Sequence, residues 1–465
     1  MAECSFFPRR KANIAMECAV DKCILPPSNG RFPITLVEQA DMLRSIARIL
    51  PGAGLLLWLM LGGVAHAQGG DKLPPAPDYL GEIRRGADGR LLARPEAAVA
   101  LQPTVPATMV VGPGEKITTL TEAARLARDG EVIEVRPGTY RGQPAIWKQN
   151  DLVIRGAGER PVMLADGKSA EDKAIWVVRG GKVRIENIEF RGARVADLNG
   201  AGIRFEKGSL TVRGCAFYDN EMGILTASAP DLLEVIDSEF GDAPRHKGSL
   251  HHLLYVGTIG KFILRGSRFS NGYIGHLVKS RARENFVLYN MLVDGAGGKA
   301  SYELEFPNGG VAYVIGNTIG QSAGTDNPRM VSYGAEGAKW PENALYMAHN
   351  TLINDAYVGT FVSVWYDKMA SNIEVWLLNN LTVGAGDLLK PAQGRFDGNR
   401  SVGRNELVEF GGIPLKLTNQ SPLRGAVRPP GQAPDMDLLP DAEFVFPVGT
   451  RRMRPASSLV PGAFQ

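Results

Sequence analysis

Between Arg245 and Arg283, 39 consecutive residues hold eight lysines and arginines, four of the chain's six histidines, and no aspartate or glutamate. The cations are Arg245, Lys247, Lys261, Arg265, Arg268, Lys279, Arg281 and Arg283, and the histidines are His246, His251, His252 and His276. A run so short of carboxylates is suited to a polyanion held by contacts spread over several units. Three segments in and after it share one register: HLLYVG (252–257), HLVKSR (276–281) and YELEFP (302–307). That register puts His252, His276 and Tyr302 in one column and Tyr255, Lys279 and Glu305 in the next, with RMVSYG (329–334) extending it through Tyr333.

These residue types suit β-elimination from a uronate sugar. A base removes the C5 proton, a cation stabilises the charge that spreads onto the carboxylate, and an acid protonates the departing glycosidic oxygen. Lys279 is the candidate base. Arg281, two residues on, is the candidate neutraliser, because its planar fork matches a carboxylate. Tyr255 or His252 is the candidate acid, and Arg245, His276, Arg283, Tyr302, Glu303 and Tyr333 are candidate substrate contacts. Other chemistry remains open. Glu303 and Glu305, two apart on a strand, would share a face and form the carboxylate pair of a glycoside hydrolase. Glu303, Asp294 and Asp242 would supply oxygen ligands for a bridging Ca2+. A uronate epimerase shares the proton-abstraction step, and a noncatalytic polysaccharide-binding or export-associated protein needs only the groove.

The elements that must position these residues repeat. VRIENIEF (183–190), LTVRGCAF (210–217), LEVIDSEF (233–240), FILRGSRF (262–269), FVLYNML (286–292), AYVIGNTI (312–319), LYMAHNTL (345–352) and VWLLNNL (375–381) each alternate apolar and polar residues and close on a large apolar anchor. Period-two alternation marks strands, and a spacing of this size marks a solenoid whose coils bury their faces only by stacking. Three short strands and three turns per coil give an all-β, right-handed parallel β-helix. Asn290, Asn317, Asn350 and Asn379 recur two residues before the anchor, where stacked amides would form a ladder. DLVIRGAG (151–158) and AIWVV (174–178) are assigned to two earlier coils, and residues 115–130 to a short N-terminal capping helix that shields the first rung.

Flanking segments divide the rest. Residues 42–67 have a positive start (Arg44, Arg48), an apolar centre and an Ala65-His66-Ala67 cleavage signal, so they are assigned as a secretory signal peptide. Residues 1–41 precede it and are assigned to a start read too early or a presequence. Residues 68–108 form a Pro/Ala-rich leader, 109–394 the β-helix domain, and 395–465 a tail packing on or capping it. Cleavage after Ala67 would leave 398 residues with a single cysteine, Cys215, and a formal charge of +1. A balance that near zero gives no basis for a nucleic-acid partner. The expected protein is a periplasmic or secreted monomer with an acidic polysaccharide as partner and no stable membrane insertion.

GHLVKSRARENFVLYNMLVDGAG (275–297) resembles the catalytic-coil segment of family-six polysaccharide lyases, the alginate lyase and chondroitinase B group, within the pectate-lyase-like β-helix superfamily. The resemblance implies that Lys279, before Ser280, is the Brønsted base. Two features depart from that family. Its following coil carries a catalytic arginine in an Arg-His-Gly context, where this chain has Glu305-Phe306-Pro307-Asn308-Gly309-Gly310. Its acidic calcium-binding pattern ahead of the lysine is replaced by Gly275-His276-Leu277-Val278.

Overall fold

The computed structural model describes residues 105–246, 250–369, 373–390, 393–453 and 458–465, with the backbone of a short antiparallel pair, Arg84–Arg85 and Leu91–Leu92. The assignments to residues 1–67 and to most of the leader lie outside these residues. Among the described residues no helix is long and apolar enough to cross a membrane.

Three parallel sheets of 12, 11 and 10 strands run the length of the molecule, and the chain visits them in turn. One coil is representative: Lys182–Glu186 lies in the first sheet, Glu189–Arg191 in the second and Ala201–Phe205 in the third. The next coil returns to the first sheet at Ser209–Arg213, where Val183 pairs with Leu210. This is a parallel β-helix. Its interior is one continuous apolar column set, from Val111 to Leu389.

The anchors read from the sequence form the inner column of the second sheet, Phe190, Phe217, Phe240, Phe269, Leu292, Ile319 and Leu352 in register. The four phenylalanine rings stack with centroids 5.1, 4.6 and 4.5 Å apart. Burying each such ring contributes about 1.5–3 kcal/mol. The last copy is shifted by one residue: Leu352 pairs with Thr382, and Leu381 faces outward.

That shift also moves the ladder. The amide Nδ2 of Asn290 donates to Asn317, Asn317 to Asn350, Asn350 to Asn380 and Asn380 to Asn399, at 2.9, 3.0, 2.9 and 3.0 Å. Asn380, not Asn379, is therefore the rung. Asn379 takes the left-handed bend before it, with φ +56°, as Asp237 and Gly266 do in earlier coils at +48° and +61°. Ser238 and Ser267 extend the ladder toward the N-terminus and Cys215 heads it, free and buried, its thiol pushed up to about 12 by burial.

At the N-terminal end a helix occupies Leu120–Leu126, shorter than the 115–130 expected. Thr119 caps it by accepting from the Glu122 amide at 3.2 Å, and Leu120, Ala123 and Ala124 join the core. AIWVV is not a separate coil: Ala174–Val178 is the third-sheet strand of the coil that begins at Leu152–Gly156.

The tail after Val402 packs on two faces. Ala433, Leu438 and Ala442 cover Tyr289, Tyr313 and Tyr346 on the first sheet, while Leu407, Leu417 and Val460 cover Ile353, Leu381 and Val383 on the second. On the third sheet a loop of residues 334–343 lies over the turn that leaves it. Trp340 Nε1 donates to the Arg281 carbonyl at 3.1 Å, and the Lys339 and Glu336 amides donate to Asn308 and Pro307 at 3.1 and 2.8 Å.

Candidate active site

The outward column of the third sheet reads Val177, Arg204, Leu225, Tyr255, Lys279, Glu305, Ser332 and Ser363. Apart from Arg204 it is apolar at its start, where Val177, Leu225 and Met222 form a small cluster that ends against Tyr255. From Lys279 onward it is polar. Side chains at equivalent positions on neighbouring parallel strands lie about 4.8 Å apart, which brings Tyr255, Lys279 and Glu305 to one patch.

Arg281, in the turn after the Lys279 strand, folds back onto that patch. Its Nε donates to Tyr255 Oη at 3.0 Å, and its Nη1 donates to Asn308 Oδ1. Lys279 Nζ and the Arg281 guanidinium each lie 5.8 Å from the centre of the Tyr255 ring. Glu336, from the 334–343 loop, grips both cations: its Oε2 and Oε1 accept from Arg281 Nη1 and Nη2 at 2.6 and 2.8 Å, and Lys279 Nζ donates to Oε1 at 3.3 Å. The Lys279 and Arg281 side chains are only 12% and 15% exposed, whereas that of Glu336 is 44% exposed. Glu336 thus covers two cations that are otherwise enclosed. Burial alone would raise the Glu336 carboxyl, but Arg281 and Lys279 hold it below its ordinary value. Burial would lower Arg281, but Glu336 and Tyr255 raise it.

On the other side Lys279 lies 3.2 Å from Glu305 Oε2, and His276 Nδ1 lies 3.0 Å from the same oxygen. Neither contact is aligned as a hydrogen bond, so Lys279 acts on Glu305 through its charge and the His276 ring through its proximity. Burial pushes the Glu305 carboxyl up, but His276 and Lys279 outweigh it and hold the group at about 2. Glu305 is therefore an anion at neutral pH.

The second predicted column is also assembled. His252, His276 and Tyr302 stack edge to face with ring centroids 4.5 and 4.9 Å apart. The His276 amide donates to His252 Nδ1 at 2.9 Å, which leaves the ring proton of neutral His252 on Nε2. Burial, reinforced by His276 and Lys279, holds His252 well below its ordinary value, and burial lowers His276 against the pull of Glu305. A neutral imidazole locked in this way supports its neighbours. That arrangement weighs against His252 as the acid.

Other assignments separate from the patch. Tyr333 sits in the interior, because Ser332 takes the outward place beside Glu305; its hydroxyl donates to the Gly310 carbonyl at 2.6 Å. Glu303 also faces inward. It precedes the strand Leu304–Phe306 by one residue and falls, by register, between Leu277 and Met330, two core residues. It is 0% exposed, neither carboxylate oxygen has a hydrogen-bond partner, and burial, with the nearby Asp294, pushes it well above its ordinary value. The expected Glu303/Glu305 pair therefore points to opposite sides, which removes the hydrolase arrangement built on it.

The basic run likewise disperses, since each coil winds past all three faces. Lys261 pairs with Glu284 at 2.8 Å on the first sheet, and Arg268 pairs with Glu239 at 2.5 Å on the second. Arg265 lies 4.7 Å over the Tyr289 ring. Arg283 turns to Glu284 at 2.7 Å, and Arg245 donates to the Gly297 carbonyl at 2.6 Å beneath the Tyr273 ring. Lys247 lies outside the described residues. The three proposed calcium ligands do not gather either. Asp294 accepts from the Gly272 and Ala300 amides at 2.6 and 2.9 Å, Asp242 accepts from Asn271 at 3.0 Å, and no group of three or more His, Cys, Asp or Glu is disposed to hold a metal among the described residues.

No protein-family model matches the chain, and no curated protein does. Among solved structures it is similar to pectate lyase Pel9A, with 14% identity, a TM-score of 0.46, and coverage of 78% of this chain and 97% of that one. It is also similar to ORF18 of Geobacillus virus E2, with 13% identity, a TM-score of 0.29, and coverage of 66% and 60%. The β-helix itself rests on the strand register described above.

Proposed function

We propose that this protein is a polysaccharide lyase that cleaves a uronate-containing polymer by β-elimination on the open face of the third sheet. The observation that carries the reading is the seat of Glu336. A carboxylate already lies bidentate in the fork of Arg281, against Lys279 and beside the Tyr255 hydroxyl. A substrate carboxylate entering that seat would place its sugar next to all three.

The roles then follow from the contacts. Arg281 stabilises the charge that develops on the carboxylate when the C5–H bond breaks. Its Nε–H occupies the Tyr255 oxygen from one side, which leaves the phenol O–H to point at the departing glycosidic oxygen and donate its proton there. Lys279 must shed its own proton first, and as the free amine it takes the C5 proton and becomes the ammonium. Displacing Glu336 leaves its amine with one carboxylate contact, Glu305, instead of two. Glu305 in turn holds His276 and Lys279 in place.

Incubation with a panel of uronate polymers tests this directly. Growth of the ultraviolet absorbance of an unsaturated uronate, lost in Lys279→Ala, is the expected result. New reducing ends without that absorbance would indicate hydrolysis, and solvent deuterium entering at C5 without cleavage would indicate an epimerase. The reading also places the protein outside the cytoplasm, where such polymers occur; detection of the protein in the periplasmic or culture fraction checks that part.

A further inference from the structure

One cation in the outward column of the third sheet has no part in the Lys279 patch. Arg204 stands two register steps before Tyr255, with Leu225 between them, so roughly 10 Å separates the two strands. Its side chain is 25% exposed. Its only ion pair among the described residues, from Nε to Glu206 Oε1, is stretched to 4.0 Å, and that Nε is buried without a hydrogen-bond partner. Glu206 is already held more closely by others. Lys173 Nζ and Arg179 Nη2 lie 2.9 and 2.6 Å from it, and the same two cations lie 3.1 and 2.5 Å from Glu171. Three cations thus share two carboxylates, and Arg204 is the one held loosely. Besides Glu206, the group whose charge bears on Arg204 is the Tyr255 phenol. Burial outweighs both and lowers the Arg204 guanidinium from its ordinary value, whereas at Arg281 burial is outweighed by Glu336 and Tyr255. An enclosed cation with so little counter-charge gains from a further carboxylate.

We infer that Arg204 binds the carboxylate of the sugar that departs on cleavage, so that the protein selects bonds between two adjacent uronates. The inference rests on the reading of Lys279 as the base and Tyr255 as the acid. Tyr255 lies one register step from Lys279 toward the N-terminal end, and Arg204 lies two steps further the same way. The acid must stand beside the oxygen it protonates, so the sugar that leaves with that oxygen lies on the Arg204 side of the cleaved bond. The two arginines then divide the work. Arg281 takes the carboxylate of the sugar that loses its C5 proton, and Arg204 takes that of its departing neighbour. A planar guanidinium with free N–H edges suits a carboxylate in both places. A neutral sugar on the departing side would leave Arg204 as it stands, with only its distant contact to Glu206.

Initial rates of elimination by the full chain compare two substrates, a homouronate polymer and one in which uronates alternate with neutral sugars. The wild type should cleave the homouronate with the higher kcat/KM. On that polymer Arg204→Gln should raise KM about tenfold, the effect of one or two charge-assisted hydrogen bonds, with kcat little changed. The loss should shrink as ionic strength rises, and Arg204→Lys should recover part of it. On the alternating polymer, whose departing sugar carries no carboxylate, Arg204→Gln should leave KM where it is. An unchanged KM on the homouronate overturns the inference. So does an equal rise on both polymers, or a rise indifferent to salt, since either would make Arg204 a structural support. A wild type that prefers the alternating polymer overturns it as well. Each of these outcomes leaves elimination intact and the Lys279 assignment standing, so the inference fails by itself. Elimination of neither polymer by the wild type overturns both readings.

Discussion

Replacing Glu336 with glutamine should make the protein bind its substrate better. The carboxylate accepts two hydrogen bonds from Arg281, which the substrate carboxylate must take over, and one from Lys279, which is given up when Glu336 leaves. Exposed ion pairs stabilise by roughly 0.2–1 kcal/mol. Here the cations are largely enclosed and the Arg281 contact is bidentate, but Glu336 is nearly half exposed and solvent screens it, so about 1–2 kcal/mol is the appropriate range. A ligand that must displace such a contact has its apparent affinity reduced by the same free energy, roughly 5- to 30-fold. Glu336→Gln keeps the loop's shape and removes the competing charge. KM for the uronate polymer should fall by about that factor, with kcat little changed because Lys279, Arg281 and Tyr255 remain. Raising the ionic strength should narrow the difference between the two proteins. Initial rates of unsaturated-product formation across substrate concentrations give both constants. A rise in KM for Glu336→Gln would refute the reasoning, since it would mean that Glu336 holds the substrate and does not stand in its place.

Other outcomes follow from the same contacts. Lys279→Ala should abolish elimination while Arg281 preserves polymer binding by calorimetry, and near-normal turnover would remove Lys279 as the base. Tyr255→Phe should lower kcat by about 10²–10⁴-fold if the phenol is the acid, with the fold checked by circular dichroism. Glu303→Met should raise the urea midpoint, because the carboxyl lies unpartnered between Leu277 and Met330 at a cost of about 1–3 kcal/mol even when neutral. Glu303 keeps its proton in the folded chain to a pH well above that at which the unfolded chain loses it. Its contribution to stability therefore falls as pH rises from about 4.5 toward the folded value, and the variant's gain should grow over that window; a gain independent of pH would show that Glu303 titrates normally. Asn317→Leu should lower the unfolding free energy by several kcal/mol, and the same midpoint with it, since it strips partners from the Asn290 amide and from the Val287 carbonyl, each worth about 1–3 kcal/mol when buried and unsatisfied.

Much of the frame was legible in the chain because a β-helix writes itself in period two. The apolar anchors from Phe190 to Leu352, and the columns through His252 and Tyr255, follow from alternation once the repeat is aligned. Alignment failed where the sequence offers two equivalent choices: Asn379 and Asn380 are both suited to the ladder, and only the left-handed bend at the first decides between them. It failed at Glu303 and Tyr333 for a related reason. The chain enters the third sheet through a bend with two successive inward positions, as at Leu253 and Leu254, so strict alternation puts Glu303 on the wrong side. Between Glu305 and Tyr333 the match had to be made across an insertion, and it landed one residue late. Glu336 was not proposed because 54 residues of sequence separate it from Arg281, and a loop's landing place leaves no periodic trace. The only cue was that the insertion near 321–341 is among the longest.

The dispersal of the basic run bears on which face does chemistry. A coil passes all three sheets within one repeat, so a contiguous stretch of charge wraps the molecule instead of pooling on it. Lys261 and Arg268 are consequently neutralised on faces of their own, by Glu284 and Glu239. What survives is the subset that recurs at the coil period, and only Lys279, with Arg281 folding back toward it, does so beside Tyr255. The outward residues of the first two sheets carry large apolar side chains such as Tyr313, Tyr346, Leu381 and Val383, and the tail covers them because leaving them wet would forfeit their burial. The third sheet's outward column turns polar at Lys279 and stays so through Ser332 and Ser363, leaving the tail nothing apolar to cover there. The same alternation that builds the coil thus decides which of its faces the tail leaves uncovered, and Lys279 and Arg281 are the cations of the basic run that come together on it.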